Sequence, residues 1–402
     1  MTELTYDIAV VGGGIVGLAT ALAITDADSS RSVAVLEKED GWGQHQTGHN
    51  SGVIHSGIYY QPGSYKATMA RDGGKEMAEF CEQHSLPITR SGKIIVATEP
   101  GELPRLEKLR ERGAANRLTV RPLTPEEIRE HEPHVRGLAG LHVPSTGTCD
   151  FGAVAGRLVE ILRERGVHMM SSTRVIGFSR RSREVVVETD RGEVLARRVA
   201  NCAGLHSDRL AHIGGQRNDV RIVPFRGEYF ELRPDREHLV QNLVYPVPDP
   251  AFPFLGVHLT RMNNGGVHIG PNAVLAFARD GYSKASVDWA GVRDVATNRG
   301  LHRLARRYWR EGGAEVLRSM IKPLFVRAVR RLVPEIESAD LVAAPAGVRA
   351  QAIHDDGTLV DDFAFAEDEQ FVHVLNAPSP AATASLPIGR EIARRCLVRA
   401  DQ

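Results

Sequence analysis

Gly12, Gly14 and Gly17 stand in the spacing Gly-x-Gly-x-x-Gly, directly after the apolar run Tyr6-Asp7-Ile8-Ala9-Val10-Val11. Glu37 lies twenty residues beyond Gly17, at the end of a second apolar run that begins at Arg31. Glycines at a strand-to-helix turn let a backbone approach a pyrophosphate, and a helix start offers N–H donors and a positive dipole end. An acid at the end of the second strand can accept hydrogen bonds from an adenosine ribose. The next feature is the loop His45-Gln46-Thr47-Gly48-His49-Asn50-Ser51-Gly52-Val53-Ile54-His55-Ser56-Gly57-Ile58-Tyr59-Tyr60. Its glycines break any helix that could set His45 and His49 on one face, so no metal site is expected there. A polar glycine loop placed here suits a cofactor and its phosphates.

Two later positions carry chemistry of another kind. His258, in Pro253-Phe254-Leu255-Gly256-Val257-His258-Leu259-Thr260-Arg261, alternates with apolar residues and projects to one face of a strand. A base facing a cofactor and a histidine facing the core fit that pattern equally well. Arg349 stands among Ala346-Gly347-Val348 and Ala350, unlike the Lys/Arg-rich surface elsewhere. A guanidinium there reads as a clamp for a carboxylate, or as half of an internal salt bridge. Last, Asn376-Ala377-Pro378-Ser379-Pro380-Ala381-Ala382-Thr383 is a run of mostly small residues that suits close approach of a ligand to the helix behind it.

These residues need elements to hold them. Residues 6–37 read as a strand, a glycine turn, a helix from Ile15 to Ile24 and a second strand. Helices are expected over Tyr65–His84, Leu103–Ala115, Phe151–Gly166 and Leu386–Val398, with more between Val287 and Arg331. Short strands are expected at Arg90–Thr98, Arg174–Phe178, Val185–Thr189 and Val194–Ala196. A further strand runs from Arg198 into Gly204, and Val372–Leu375 is the last. Val220–Gly270 is strand-like and punctuated by proline, as an antiparallel sheet would be. The expected fold is α/β combined with α+β, a discontinuous Rossmann-like FAD-binding domain with an inserted antiparallel-sheet substrate domain. Residues 1–85, 145–215 and 340–402 fall to the first, and 86–144 and 216–339 to the second. The early glycine motif, the discontinuity and the second strand-to-glycine element Asn201-Cys202-Ala203-Gly204 favour FAD over NAD. Candidate cofactor contacts are Gly12, Gly14, Ile15, Val16, Gly17, Glu37, Lys38, Thr47, Asn50, Ser51, Gly52, Val175, Ala203, Gly204, Gly347, Val348, Pro378, Ser379, Ala381 and Thr383.

Composition sets the outer limits. The chain has 402 residues, 42% hydrophobic and 25% charged, with 50 basic against 50 acidic side chains. That is a globular composition without a whole-chain basic field, so no nucleic-acid partner is expected. Cys81, Cys149, Cys202 and Cys396 are widely spaced, which fits a reducing cytoplasm better than a disulfide framework. The uncharged run Ile8–Thr25 is interrupted by glycines and preceded by acids, so a strand–turn–helix explains it better than a membrane span. The zero net charge hides a local asymmetry. Residues 302–331 hold nine Lys or Arg and two acids, and 354–370 hold seven acids and no Lys or Arg. Solvated or mutually paired faces are one reading, and a peripheral contact of 302–331 with anionic lipid is the other.

The glycine fingerprint, Gly347-Val348-Arg349 and the final strand–loop–helix together resemble FAD-dependent oxidoreductases of the D-amino-acid oxidase and glycerol-3-phosphate dehydrogenase superfamily. The segments HQTGHNSGVIHSGIYY, PFRGEY, FPFLGVHLTR, GPNAVLAFARDGY and NAPSPAATASLPIG narrow the resemblance to the L-2-hydroxyglutarate dehydrogenase/oxidase family, from about Tyr6 to Ile392. The resemblance implies noncovalent FAD and oxidation of a small 2-hydroxy acid, L-2-hydroxyglutarate, to 2-oxoglutarate, with quinone or oxygen as electron acceptor. Oxidising a 2-hydroxy acid moves hydride from Cα to flavin N5 and releases the hydroxyl proton. His55 and His258 are the candidate acceptors of that proton, and Arg349 the holder of the C1 carboxylate. Tyr59, Tyr60, Lys93, Arg226 and Arg261 are candidates for the rest of the diacid. A relative acting on an amino acid or glycerol 3-phosphate, or a flavin-binding protein without turnover, are the competing readings.

Overall fold

The computed structural model describes residues 5–217, 219–249, 256–263, 265–270, 274–282, 288–307 and 322–398. Strand β1, Thr5–Val11, ends in the glycine turn and leads into helix α1, Ile15–Ala27, and strand β2, Val33–Leu36. Every residue of β2 and the last four of β1 are buried, as a parallel sheet covered on both faces requires. Helix α2, Tyr65–Gln83, follows the histidine loop and starts with Ser64 accepting the Ala67 N–H. Strand β3, Gly192–Asn201, pairs parallel with β1 from Leu195 to Asn201. The expected pieces Val194–Ala196 and Arg198–Gly204 are therefore one strand, which runs antiparallel to Val185–Thr189 at its start and ends at the glycine turn. The order in this sheet is Val175–Arg180, Val185–Thr189, β3, β1, β2 and His168–Met170, with Phe371–Asn376 also parallel to β3.

The second sheet starts from Lys93–Ala97, Arg121–Leu123 and Ala139–Val143, and continues with β4, Val220–Leu232, and β5, His258–Arg261. Strand β6, Leu341–His354, pairs antiparallel with β4 from Leu232–Leu341 to Val220–His354. Residues 341–354, with which the last piece of the expected FAD-binding part begins, therefore run as a strand of the second sheet. A long-range pairing fixes this placement, which nothing local to 341–354 announces. Of the helices expected between Val287 and Arg331, Trp289–Thr297, α3 (Arg299–Arg307) and Lys322–Arg330 are present, and 308–321 lie outside the described residues.

One large core, including Val10, Leu18, Ile24, Val35, Leu158 and Ile392, sits between the first sheet and its helices. Another, including Ile94, Val244, Leu259, Phe325 and Val329, lies under the second sheet. The last helix, Ser385–Leu397, packs against α1 so closely that a Cβ on Gly389 would stand 2.5 Å from the Ala19 backbone. That contact holds the strand-to-helix loop 377–384 against the open side of the glycine turn.

Candidate active site

The glycine turn is a cradle shaped by close backbone approach. Gly12 has φ +110°, and a Cβ there would lie 2.5 Å from the Cys202 carbonyl oxygen. A Cβ on Gly17 would stand 1.9 Å from the Gly12 carbonyl oxygen, so Gly17 lets α1 seat on the turn instead of touching a ligand. Gly14 caps α1 without a side-chain hydrogen bond, and only Ile15 among the first N–H groups finds a side chain, Thr47 Oγ1 at 3.0 Å. Glu37 is 7% exposed. Its carboxylate accepts the Gly13 N–H at 2.7 Å and the Glu39 N–H at 2.9 Å, which fixes its orientation and leaves lone pairs free.

A cavity of about 560 Å³ runs from this cradle to the second sheet. Gly12, Gly14, Ile15, Val16, Glu37, Lys38 and Val175 line one end, and Thr47, Asn50, Ser51, Ala203 and Gly204 its middle. Gly347, Val348, Pro378, Ser379, Ala381 and Thr383 line it too, with His55, Tyr60, His258 and Arg349. Free helix N–H groups, a buried oriented carboxylate and a glycine turn at the far end of a long cavity fit the pyrophosphate and ribose of FAD. Some of these residues also bond within the protein. Lys38 bonds Asp280 and Glu39, each at 2.8 Å. Asn50 donates to the Gln46 and Thr47 carbonyls and accepts the Gly52 N–H, so its amide knits the loop. Gly52 is off the wall; its φ of +64° serves a turn packed against the Cys149 carbonyl.

The other end is defined by two neutral histidines and a cation. The His55 N–H donates to Thr383 Oγ1 at 3.1 Å, and that hydroxyl donates to the Val53 carbonyl at 3.1 Å, tying the histidine loop to the final loop. His258 is 5% exposed, and its ring stacks on Tyr245 with centroids 4.2 Å apart and planes 14° from parallel. His258 Nδ1 is 3.0 Å from the Gly256 carbonyl oxygen. A carbonyl only accepts, so Nδ1 carries the hydrogen and Nε2 keeps its lone pair. Burial, then the positive charge of Arg349 and Lys93, pushes His258 down to about 3. Burial and Lys93, His258 and Arg349 do the same to His55.

Arg349 lines the cavity from β6 and makes no ion pair among the described residues. Lys93 sits behind the wall, 1% exposed, with Nζ 4.3 Å from the Tyr59 ring centroid and 5.0 Å from that of Tyr245. Burial brings it down to about 7. Tyr59 is likewise behind the wall, whereas Tyr60 is on it. Two candidates for the diacid lie elsewhere. Arg226 pairs with Glu228 at 3.1 Å and Arg261 with Glu237 at 3.2 Å, so neighbouring carboxylates engage both charges away from the cavity. Sequence reading missed Lys66, Tyr229 and Asp280, which line the cavity. Lys66 left a signal: Ser64 starts the helix, and a lysine in the first turn opposes the dipole. Among the described residues no group of three His, Cys, Asp or Glu could hold a metal; His45 bonds Glu39 and His49 stacks on Tyr282.

A nucleotide cradle in one sheet, opening onto buried bases and a cation in another, defines a two-domain flavin-dependent oxidoreductase, and the FAD dependent oxidoreductase family model matches residues 7–395. The L-2-hydroxyglutarate dehydrogenase of Indibacter alkaliphilus is 45% identical over 398 residues, 98% of this chain and 100% of that one. The human mitochondrial L-2-hydroxyglutarate dehydrogenase is 42% identical over 407 residues, 97% of this chain and 88% of that one. The chain belongs to the FAD-dependent oxidoreductases and, within them, to the family of these L-2-hydroxyglutarate dehydrogenases. Its fold is shared by the FAD-bound L-alpha-glycerophosphate oxidase of Mycoplasma pneumoniae, with TM-score 0.79 and 23% identity over 98% of this chain and 95% of that one. Glycine oxidase from Geobacillus kaustophilus shares it at TM-score 0.70 and 20% identity, over 98% and 94% of the two chains.

Proposed function

We propose that this protein oxidises L-2-hydroxyglutarate to 2-oxoglutarate. The observation that carries the reading is the pairing, on one cavity wall, of an arginine that makes no ion pair among the described residues and a neutral histidine whose Nδ1 holds the hydrogen and whose Nε2 keeps its lone pair. Arg349 holds the C1 carboxylate through its fork of N–H donors. Held at the Gly12–Gly14 turn and beside the Glu37 carboxylate, FAD would supply the acceptor for the hydride of Cα. His258 Nε2 takes the hydroxyl proton, and the Gly256 carbonyl and the Tyr245 face keep the ring from turning.

The low basicity of His258 in the substrate-free cavity is consistent with this role. Arg349 and Lys93 are among its causes. A dianionic substrate brings two negative charges into the same space and raises the basicity of the ring at the moment it is needed. His55, under the same cations, is the neighbouring base and holds the loop through its N–H.

The decisive experiment adds L-2-hydroxyglutarate anaerobically to the FAD-loaded protein. Bleaching of the flavin band with formation of one 2-oxoglutarate per flavin is expected. Bleaching only by glycine or glycerol 3-phosphate, or by none of these compounds, would overturn the reading.

The electron acceptor in this proposal is quinone or oxygen, and a quinone would be met at a lipid surface through residues 302–331. The exposed Arg306 of α3, beside buried Leu301, favours that contact, whereas Arg303 donates to the Asp355 carbonyl at 2.6 Å. The engagement of Arg330 with the Pro334 carbonyl and of Arg331 with Glu99 and Glu102 limits the face to the first part of the segment. Among the described residues no helix is long and apolar enough to cross a membrane.

A further inference from the structure

Among the described residues the cavity is lined by five Lys or Arg residues, Lys38, Lys66, Arg174, Arg209 and Arg349. Lys38 is engaged by Glu39 and Asp280, and Arg209 by Asp294. Arg174 is exposed, next to Thr173, whose N–H bonds the Glu37 carbonyl at the cradle end. Lys66 and Arg349 remain, and neither makes an ion pair among the described residues. The charges of Asp361 and Asp362 reach Lys66 without an ion pair to it, and the two oxygens of Asp362 accept the backbone N–H groups of Tyr65 and Lys66, each at 2.8 Å. Lys66 Nζ stands 5.5 Å from the centroid of the Tyr60 ring, and the Tyr60 hydroxyl feels the charge of Arg349. Tyr60 is therefore a neighbour of both of the cavity's cations that make no ion pair among the described residues.

We propose that Lys66 binds the distal carboxylate of the substrate, so that its charge makes this site select a dicarboxylic 2-hydroxy acid over a monocarboxylic one of the same length. This rests on the function proposed above and names what that function leaves open. A monoacid held at Arg349 gives partly buried Lys66 no direct ion pair, whereas a diacid answers both cations at once. The placement is otherwise unfavourable, since a lysine in the first turn of α2 faces the positive end of the helix dipole.

The test uses the full-length FAD-loaded protein and its Lys66→Met and Lys66→Arg variants, with Lys66→Gln as a second neutral substitution should Met fold poorly. Bound flavin and melting temperature are matched first. Dissociation constants for 2-oxoglutarate and 2-oxopentanoate are measured by calorimetry, and flavin reduction by L-2-hydroxyglutarate by anaerobic stopped flow. Lys66→Met should weaken 2-oxoglutarate about 10- to 100-fold, the loss of one charge-assisted contact, and leave 2-oxopentanoate within about twofold. Lys66→Arg should restore most of the preference. Equal loss for both ligands, or unchanged 2-oxoglutarate binding, overturns the assignment while the reduction of wild-type flavin by L-2-hydroxyglutarate leaves the function intact. Wild-type flavin that L-2-hydroxyglutarate does not reduce overturns both.

Discussion

Replacing His258 by Gln tests the centre of the proposed chemistry. The substitution removes the imidazole and keeps an uncharged side chain in the space against Tyr245. What is lost is one preset acceptor, because the Gly256 carbonyl holds the hydrogen on Nδ1 and leaves Nε2 open. General-base catalysis contributes about 100- to 10,000-fold. A base that burial and nearby cations push down to about 3 has little driving force of its own, so the lower end applies. The expected loss is about 100-fold in the rate of flavin reduction, about 2.7 kcal/mol of barrier. Anaerobic stopped flow with L-2-hydroxyglutarate reads that step directly, free of the electron acceptor. The pH dependence supplies a second reading. The second-order constant reports the free enzyme, whose ring is already neutral, so it should show no acid limb near 6.5. The limiting rate, which reports the complex, should show its limb at higher pH than the free ring allows, because the bound carboxylates stabilise the imidazolium. Near-normal reduction in His258→Gln removes this ring from the role. A limb at pH 6.5 in the second-order constant, absent from the variant, would show that the ring is not held neutral and refute the electrostatic argument.

Arg349→Met should weaken substrate binding about 10- to 100-fold, and Arg349→Lys should recover only part of that because ammonium cannot form the paired contact; titration with 2-oxoglutarate measures both. Gly12→Ala would place a Cβ 2.5 Å from the Cys202 carbonyl at φ +110°, so the protein should purify with little FAD, read from its absorbance ratio. His55 and His258 both fall to about 3 in the folded state against about 6.5 unfolded. The unfolded chain then binds protons below pH 6.5 that the folded one refuses, so stability falls as pH drops from 6.5 toward 3, by at most about 1.4 kcal/mol per pH unit for each ring. Urea unfolding of the substrate-free protein from pH 7.5 to 5 should show this slope, and the His55→Gln/His258→Gln double variant should lose the part due to these two rings while the buried His373, pushed down to about 4, keeps its own. Sedimentation with anionic vesicles should carry the protein down and neutral vesicles should not; binding to neither removes the lipid contact proposed for 302–331.

The cradle was readable because its chemistry is local. Three glycines and an acid at fixed spacing can be recognised from thirty residues, and the same holds for the histidine loop. Arg349 was readable by contrast with its small neighbours. What stayed hidden depends on partners far along the chain. Leu341–His354 holds Pro345, Gly347 and five alanines, a poor strand pattern by propensity, and is made a strand by pairing with Val220–Leu232. Arg226 and Arg261 looked as available as Arg349 because sequence does not show which arginine has Glu228 or Glu237 within reach. Lys93 lies in a strand whose five residues are all buried, so its place behind Tyr59 and Tyr245, not on the wall, is a packing result.

The hydroxyl of Thr383 has a consequence for biosynthesis. It joins the His55 N–H to the Val53 carbonyl across more than three hundred residues of chain, and the segment 374–383 closes one side of a cavity that opens at Val11. A nascent chain emerging from the ribosome can fold its first glycine turn early, but that turn faces a missing wall until almost the last helix has been made. Loading of flavin is thereby deferred until residues 374–383 have been made, and fragments released before them should emerge colourless.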